Sequence, residues 1–345
     1  MAGTKAKMTL EAALPPGQKP TLKTIAQMSG LAVPTVSRAL NDAPDIGSQT
    51  KKLVRKIADD IGYVPNRAGV RLRTGRTNVI SLIISTAHDN HTSRLIASVA
   101  AALDGTGFHL NVTPYRPNDD LMKPVKYIVE TRSADALIIN QIEPEDPRVA
   151  YLMERKVPFA THGRTKWADK HPFYDFDNEI FGRQAMAILA NRNRKKVIVI
   201  APPIAQNYSQ EMIRGLSTTA VKHGIDLDIL PGATSDDDVP TMLVAAQKAL
   251  AADRSIDAIV TASSAAALAA TAAFENMNRT LGKDVDVISK DSNSFLKIFR
   301  SELLTLPETV GAAGEFLARA VIQAIRNPEL PPMHYLEVPS APELE

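Results

Sequence analysis

Residues 21–41 read TLKTIAQMSGLAVPTVSRALN. Leu22, Ile25, Ala26 and Ser29 recur at i, i+3, i+4 and i+7, which puts them on one face of a short helix. Thr21 is placed to cap its start. Gly30 stands where the chain must turn through the left-handed region to leave it. Pro34 opens a second helix, because a missing N–H costs nothing in the first turn. Val36, Ala39 and Leu40 then face inward, and Thr35, Ser37, Arg38 and Asn41 face out. Ser29, Gly30 and Ala32 are small enough for the two helices to cross closely. A third helix is expected over about 48–61, with Leu53, Val54, Ile57 and Ile61 as its apolar face. Three short helices with a tight joint between the first two make a helix-turn-helix domain, whose second helix enters a major groove with its first residues on base edges.

Charge separates this head from the rest. Residues 1–76 hold 13 Lys and Arg against 5 Asp and Glu, a net +8, and the remainder nets −6. A basic head on an acidic body points to a polyanionic partner for the head. Arg67, Arg71, Arg73 and Arg76 follow within ten residues, with Leu72 among them and Asn66 as a helix cap. The chain of 345 residues is long enough for two or three domains, and its 44% apolar and 23% charged residues are a globular balance. It has no cysteine, so disulfides and thiolate zinc sites are excluded. No apolar run approaches a membrane span, and Met8–Leu14 is too short and too interrupted for a signal sequence, so a cytoplasmic protein is expected.

From Asn78 the pattern changes. Apolar runs at 79–85, 108–114, 134–140, 157–163 and 172–177 alternate with helical periodicity, and the cycle restarts with runs at 196–200, 226–230, 257–261 and 286–289. A long helix near 308–326 closes it. Such alternation means parallel sheets covered on both faces, here as two lobes. Ligands of open parallel sheets sit at the C-terminal strand ends. The polar residues just past those ends are Asp89, His162, Arg164, Asp177, Asn178, Tyr208, Glu211, Ser263 and Asp291. Carboxylates and an arginine converging on a cleft suit a polyhydroxylated ligand.

The helix pair, then IGYVPNRAGVRLRTGRT at 61–77, resembles the lac-repressor (LacI/GalR) family of bacterial transcription regulators. The resemblance runs from Lys19 to about Val338. It implies an all-α head reading half of a palindromic operator, and a hinge at 65–77 whose helix forms on DNA and inserts Leu72 into the minor groove. It further implies a two-lobed, periplasmic-binding-protein-like α/β body at 78–338, the first lobe about 78–177 plus 303–330 and the second about 178–302. The DNA-contact set it suggests is Thr24, Val33, Pro34, Thr35, Ser37, Arg38 and Asn41 in the helices and Asn66, Arg67, Gly69, Leu72 and Arg73 in the hinge. Val33 and Pro34 fall where the family varies to set operator sequence, and neither can make a bidentate bond to a base, so methyl contact or shape readout is implied. Ala32 replaces a usual capping serine. The implied partners are palindromic operator DNA, a second copy of the chain and a sugar or sugar-derived effector. Asp177 and Asp291 match positions that bind sugar hydroxyls; with Asp89, His162, Arg164, Tyr208, Glu211 and Ser263 they form the expected effector set.

Two departures stand out. Met212 occupies the position of a usual arginine, with Arg214 about 200° round the helix from it. Ser263-Ser264 replaces a usual Asn-Asp pair. Tyr208 or Trp167 could stack on a sugar ring.

Other features carry less. His88–His91 (HDNH) holds two histidines and an aspartate, but with no third histidine nearby the cleft explains it better than a metal. Neither a metal nor a cofactor is expected. DGTGF at 104–108 has the wrong order for a dinucleotide loop, and the alanine-rich 263–274 reads as a closely packed helix. The tail after Arg326 shows no heptads, so no coiled coil is expected. Residues 1–18 read as a disordered basic arm, and dimer contacts are expected from first-lobe helices. The alternative, a transport receptor without a DNA role, is disfavoured by the basic head and missing signal. An enzyme lacks an acid–base pair or activated nucleophile.

Overall fold

The computed structural model describes residues 19–64, 71, 75–85, 90–116, 119–291 and 295–340. The arm at 1–18, most of the hinge and Asp89 lie outside the described residues. The chain divides into two compact units, Met1–Thr77 and Asn78–Glu345.

In the first unit, helices α1 (Leu22–Ser29), α2 (Val33–Leu40) and α3 (Ser48–Asp60) pack around Ile25, Val36, Ala39, Val54, Ala58 and Ile61. Thr21 and Thr24 form a reciprocal capping box at the start of α1, and Gly30 ends it at φ 70°. Only a residue without a β-carbon takes that angle freely, so the joint between α1 and α2 depends on it. Leu53 does not join this core: it is 46% exposed, one residue round from Val54.

The second unit holds two sheets, each parallel throughout. The first is built from β1 (Val79–Ser85), β2 (His109–Tyr115), β3 (Ala136–Ile139), β4 (Phe159–His162), β5 (Phe173–Phe176) and β11 (His334–Glu337), in the order β2-β1-β3-β4-β5-β11. The second is built from β6 (Lys196–Ile200), β7 (Asp226–Ile229), β8 (Ala258–Thr261), β9 (Asp286–Asp291) and β10 (Leu304–Pro307), in the order β7-β6-β8-β9-β10.

Strand alternation sends successive side chains to opposite faces. Ile80, Leu82 and Ile84 pack on helices α4 (Asn90–Leu103) and α12 (Val310–Arg326). Ile83, Leu137 and Ile139 pack on α5 (Met122–Thr131) and α6 (Pro147–Glu154). The second lobe repeats this arrangement. Ile198, Ile200 and Ile259 face α9 (Val239–Ala252) and α10 (Ser264–Glu275), while Val197, Val199 and Val260 face α7 (Asn178–Asn191) and α8 (Asn207–His223). Helices α7 and α8 touch backbone to backbone. A β-carbon at Gly182 would lie 2.4 Å from the Met212 carbonyl oxygen, and one at Gly215 would lie 2.1 Å from that of Glu179.

One detail differs from the sequence expectation. Leu304–Pro307 pairs with β9, so the second lobe continues to Pro307 and the return crossover is Glu308–Thr309, not residue 303. His334–Glu337 adds the edge strand beside β5. The short helix α11 (Phe295–Phe299) lies between β9 and β10.

Candidate functional site

In the head, Pro34, Arg38 and Asn41 are exposed, and Thr35 and Ser37 are partly so. No side chain caps the N-terminus of α2, since Ala32 has no oxygen to offer. Its first amides therefore point outward at the positive end of the helix dipole, an arrangement that suits a phosphate. Arg38 reaches Asp45 at 2.6 Å, both about half exposed, and Asn41 donates to the Ser37 carbonyl at 2.6 Å.

Two expected contacts read differently. Thr24 is 3% exposed, and its hydroxyl accepts from the Thr21 N–H at 3.1 Å, so its side chain is a helix cap and not a DNA ligand. Val33 packs partly buried against the head core. Asn66, Arg67, Gly69, Leu72 and Arg73 lie outside the described residues.

In the body, a polar cavity lies where the C-terminal strand ends of the two lobes meet. In the first lobe Ser85 ends β1, Asn140 and Gln141 follow β3, His162 ends β4, and Asp175 belongs to β5. In the second, Tyr208 opens α8, Ser263 and Ser264 follow β8, and Lys290 belongs to β9. In the first sheet the strand order turns between β1 and β3, in the second between β6 and β8, which are the crevices where open α/β sheets bind ligands.

A buried arginine shapes the first-lobe wall. Arg148 is fully buried; its Nε and Nη2 donate to Asp146 at 3.0 and 2.6 Å, and Nη2 also reaches the carbonyls of Asn140 at 3.1 Å and Gln141 at 2.8 Å. Gln141 sits at φ 52°, a conformation that those bonds help to hold. Its Nε2 then donates to Asp236 of the second lobe at 2.8 Å.

A second charged group bridges the lobes. Arg164, just past β4, donates from Nε to Asp175 at 2.7 Å and from Nη2 to both oxygens of Glu211 on α8, at 3.0 and 2.9 Å. Burial pushes the Asp175 carboxyl up to about 7, and the neighbouring Glu211 charge pushes the same way; the Arg164 guanidinium, shared between two carboxylates, only partly offsets them.

Lys290 is 6% exposed. Its ammonium contacts the Asn178 side-chain oxygen and lies 5.0, 5.6 and 5.3 Å from the ring centroids of Phe176, Phe181 and Tyr208. The Tyr208 ring therefore holds a cation as well as lining the cavity. On the opposite wall His91 and His162 stack with ring centroids 5.1 Å apart. Burial and then the neighbouring His91 hold His162 down at about 3, so its ring is neutral. Burial alone would raise the Glu308 carboxyl, but the nearby Lys290 ammonium first of all keeps it below the usual range.

Of the effector set read from sequence, His162, Tyr208 and Ser263 line the cavity. Arg164 and Glu211 pair with each other across the lobes. Asp177 is instead the cap of α7, accepting from the Ile180 N–H at 2.9 Å, and Asp175 and Asn178 on either side of it face the cavity. Asp291, 5% exposed, is not among the lining residues, and Lys290 takes that place. Met212 is fully buried in the second-lobe core, so it offers the cavity no donor. Arg214 pairs with Glu179 at 2.6 Å outside it. Trp167 packs against the α6 side of the first lobe, away from the cavity.

Comparison with known proteins agrees with this division. Residues 21–66 match the family model "Bacterial regulatory proteins, lacI family", and residues 80–299 match the "Periplasmic binding protein domain". The HTH-type transcriptional regulator AglR of Rhizobium meliloti is 28% identical over 319 residues, covering 89% of this chain and 88% of that protein. CelR of Thermobifida fusca is 24% identical, covering 92% and 95%. Among solved structures, a CelR–cellobiose complex superposes with a TM-score of 0.67 at 21% identity, covering 93% of this chain and 98% of that one. The lac repressor dimer bound to operator and an anti-inducer gives 0.79 at 18% identity, covering 94% and 97%. No helix among the described residues is long and apolar enough to cross a membrane. The chain belongs to the lacI family of bacterial regulatory proteins, a helix-turn-helix transcriptional regulator carrying a periplasmic-binding-protein body.

Proposed function

We propose that this regulator acts in the cytoplasm as a homodimeric repressor of carbohydrate genes. Two heads settle on the half-sites of a palindromic operator, and a sugar or sugar derivative in the interlobe cavity changes their grip. The observation that carries this reading is the pairing, on one chain, of a lacI-type head with a cavity whose polar walls come from both lobes. A ligand there touches both lobes at once, so it binds open and closed arrangements differently. Differential affinity of that kind is what linkage requires of an allosteric effector.

On the head, Thr35, Ser37, Arg38 and the uncapped amides of α2 supply phosphate and base contacts, Pro34 supplies apolar contact, and the hinge residues Asn66 to Arg73 add the minor-groove wedge. One head reads only half of a twofold site, so function requires the dimer, with contacts from first-lobe helices. In the cavity, Ser85, Asn140, Asp175 and Ser263 offer the mixed donors and acceptors that hydroxyl groups need. The cellobiose held by the similar CelR structure supports a glycoside of one or two rings.

The test is a melting-temperature screen over mono- and disaccharides, sugar acids and sugar phosphates, followed by operator affinity at fixed salt. A ligand of the folded state raises the melting temperature. The expected result is one chemical class that does so and also changes DNA affinity several-fold. A ligand that stabilises the protein without altering DNA affinity would refute the coupling.

A further inference from the structure

His91 on α4, His162 at the end of β4 and Glu308 in the crossover after β10 each bring one donor atom to within 4.8 Å of the others. All three line the interlobe cavity. His91 Nε2 is 3.8 Å from Glu308 Oε1, and the two imidazole planes are only 12° apart. We propose that these three side chains bind a divalent transition-metal ion, zinc or its close analogues cobalt and nickel, with the remaining coordination positions open to the cavity.

The donor set carries the choice of ion. Two imidazole nitrogens and one carboxylate oxygen form the three-ligand group typical of open zinc sites, whereas calcium and magnesium require mostly oxygen. Metal–ligand bonds of about 2.0–2.1 Å put tetrahedral donor atoms roughly 3.4 Å apart. The three groups must therefore draw in by about an ångström, within the reach of small rotations of unbranched side chains. The local field favours a cation: among the described residues lining the cavity, Asp175 is paired with Arg164, and the carboxylates of Asp236, Asp237 and Glu308 stand against the Lys290 ammonium. Lys290 is itself held against Asn178 and the rings of Phe176, Phe181 and Tyr208.

Placement gives the ion a mechanical consequence. His91 and His162 belong to the first lobe, while Glu308 follows directly on β10 of the second, its N–H donating to the Asp291 carbonyl at 3.1 Å. An ion held by all three pins the return crossover to the first lobe, so occupancy couples to the relative setting of the lobes. This inference rests on the donors alone and not on the identity of any sugar.

The test uses the untagged full-length protein, stripped with chelator and titrated with Zn²⁺ by calorimetry and with Co²⁺ by visible absorption. One ion per chain is expected, with cobalt bands of a tetrahedral or five-coordinate nitrogen–oxygen site and a melting temperature raised by a few degrees at saturating Zn²⁺. H162A and E308A should each lower affinity at least tenfold; H109A, outside the cavity, should not. Should H162A or E308A fail to fold, H91Q, at a partly exposed position of the cavity wall, provides the same readout. Absence of saturable one-to-one binding, or binding that H91Q, H162A and E308A leave intact, would overturn the proposal. A sugar screen run in chelator tests the effector reading separately, so either can fail alone.

Discussion

Replacing Arg148 by methionine probes how the cavity wall is held. The wild-type guanidinium has no solvent exposure and satisfies both Asp146 oxygens and the carbonyls of Asn140 and Gln141. Methionine fills much of the volume but makes none of these bonds. Asp146, also buried, keeps only the backbone N–H groups of Glu143 at 3.1 Å and of residue 148 at 2.9 Å. Removing one partner of a buried ion pair costs about 3–5 kcal/mol, chiefly because a charge is left without compensation. The orphaned carbonyls fall within that range and are not added to it. The single tryptophan, Trp167, packs on the same side of the first lobe and reports its unfolding. Urea titration followed by its fluorescence should show a loss of about 3–5 kcal/mol in R148M. The double variant D146N/R148M keeps the cap of α6 but removes the stranded charge, and should recover at least about 1 kcal/mol of that loss. An R148M variant within about 1 kcal/mol of the parent, or a double variant no better than the single, would show that the buried pair does not hold this wall.

The Asp175 carboxyl is pushed up to about 7 in the folded protein against an ordinary 3.8, so the native state binds more protons between those values and this group's contribution to stability falls as pH rises from about 4 to 7; melting curves across that range should show D175N losing this decline, and a parallel decline in both proteins would count against it. G182A and G215A drive a β-carbon into a facing helix backbone that cannot yield, with an overpacking cost of about 1–3 kcal/mol or more; differential scanning calorimetry should find a melting temperature lowered by about 2–4 °C per kcal/mol. R38A should leave that temperature nearly unchanged, because an exposed pair with Asp45 is worth about 0–1 kcal/mol, yet weaken operator binding at least tenfold in fluorescence anisotropy at matched salt.

Local chemistry made much of the head legible. Thr21 and Gly30 act as sequence alone suggests, because a cap and a left-handed turn are decided within four residues. Leu53 was misplaced because a helix wheel does not say which of two adjacent apolar residues meets the other helices; Val54 wins since α1 and α2 close on its side. In the body, strand periods identified the two lobes, and the strand-end rule found His162, Tyr208 and Ser263. It failed at Asp177 and Asp291, where a one- or two-residue shift turns the side chain away and brings Asp175, Asn178 and Lys290 to the cavity instead. The HDNH run drew attention to His91, but His162 and Glu308 join it only through a strand and a crossover far apart in sequence, so no local spacing could announce the group. The β10 boundary was hidden because a four-residue strand beside a turn has too short a period to assign to either lobe.

On the function proposed above, paired heads of this chain grip a twofold-symmetric duplex under the control of the body. The most direct measurement is selection of bound sequences from random DNA by the full-length protein, with its mass in solution determined at the same salt. The expected outcome is a dimer that enriches one palindrome, with hinge-centred symmetry. A monomer that retains random and palindromic duplexes equally would contradict it.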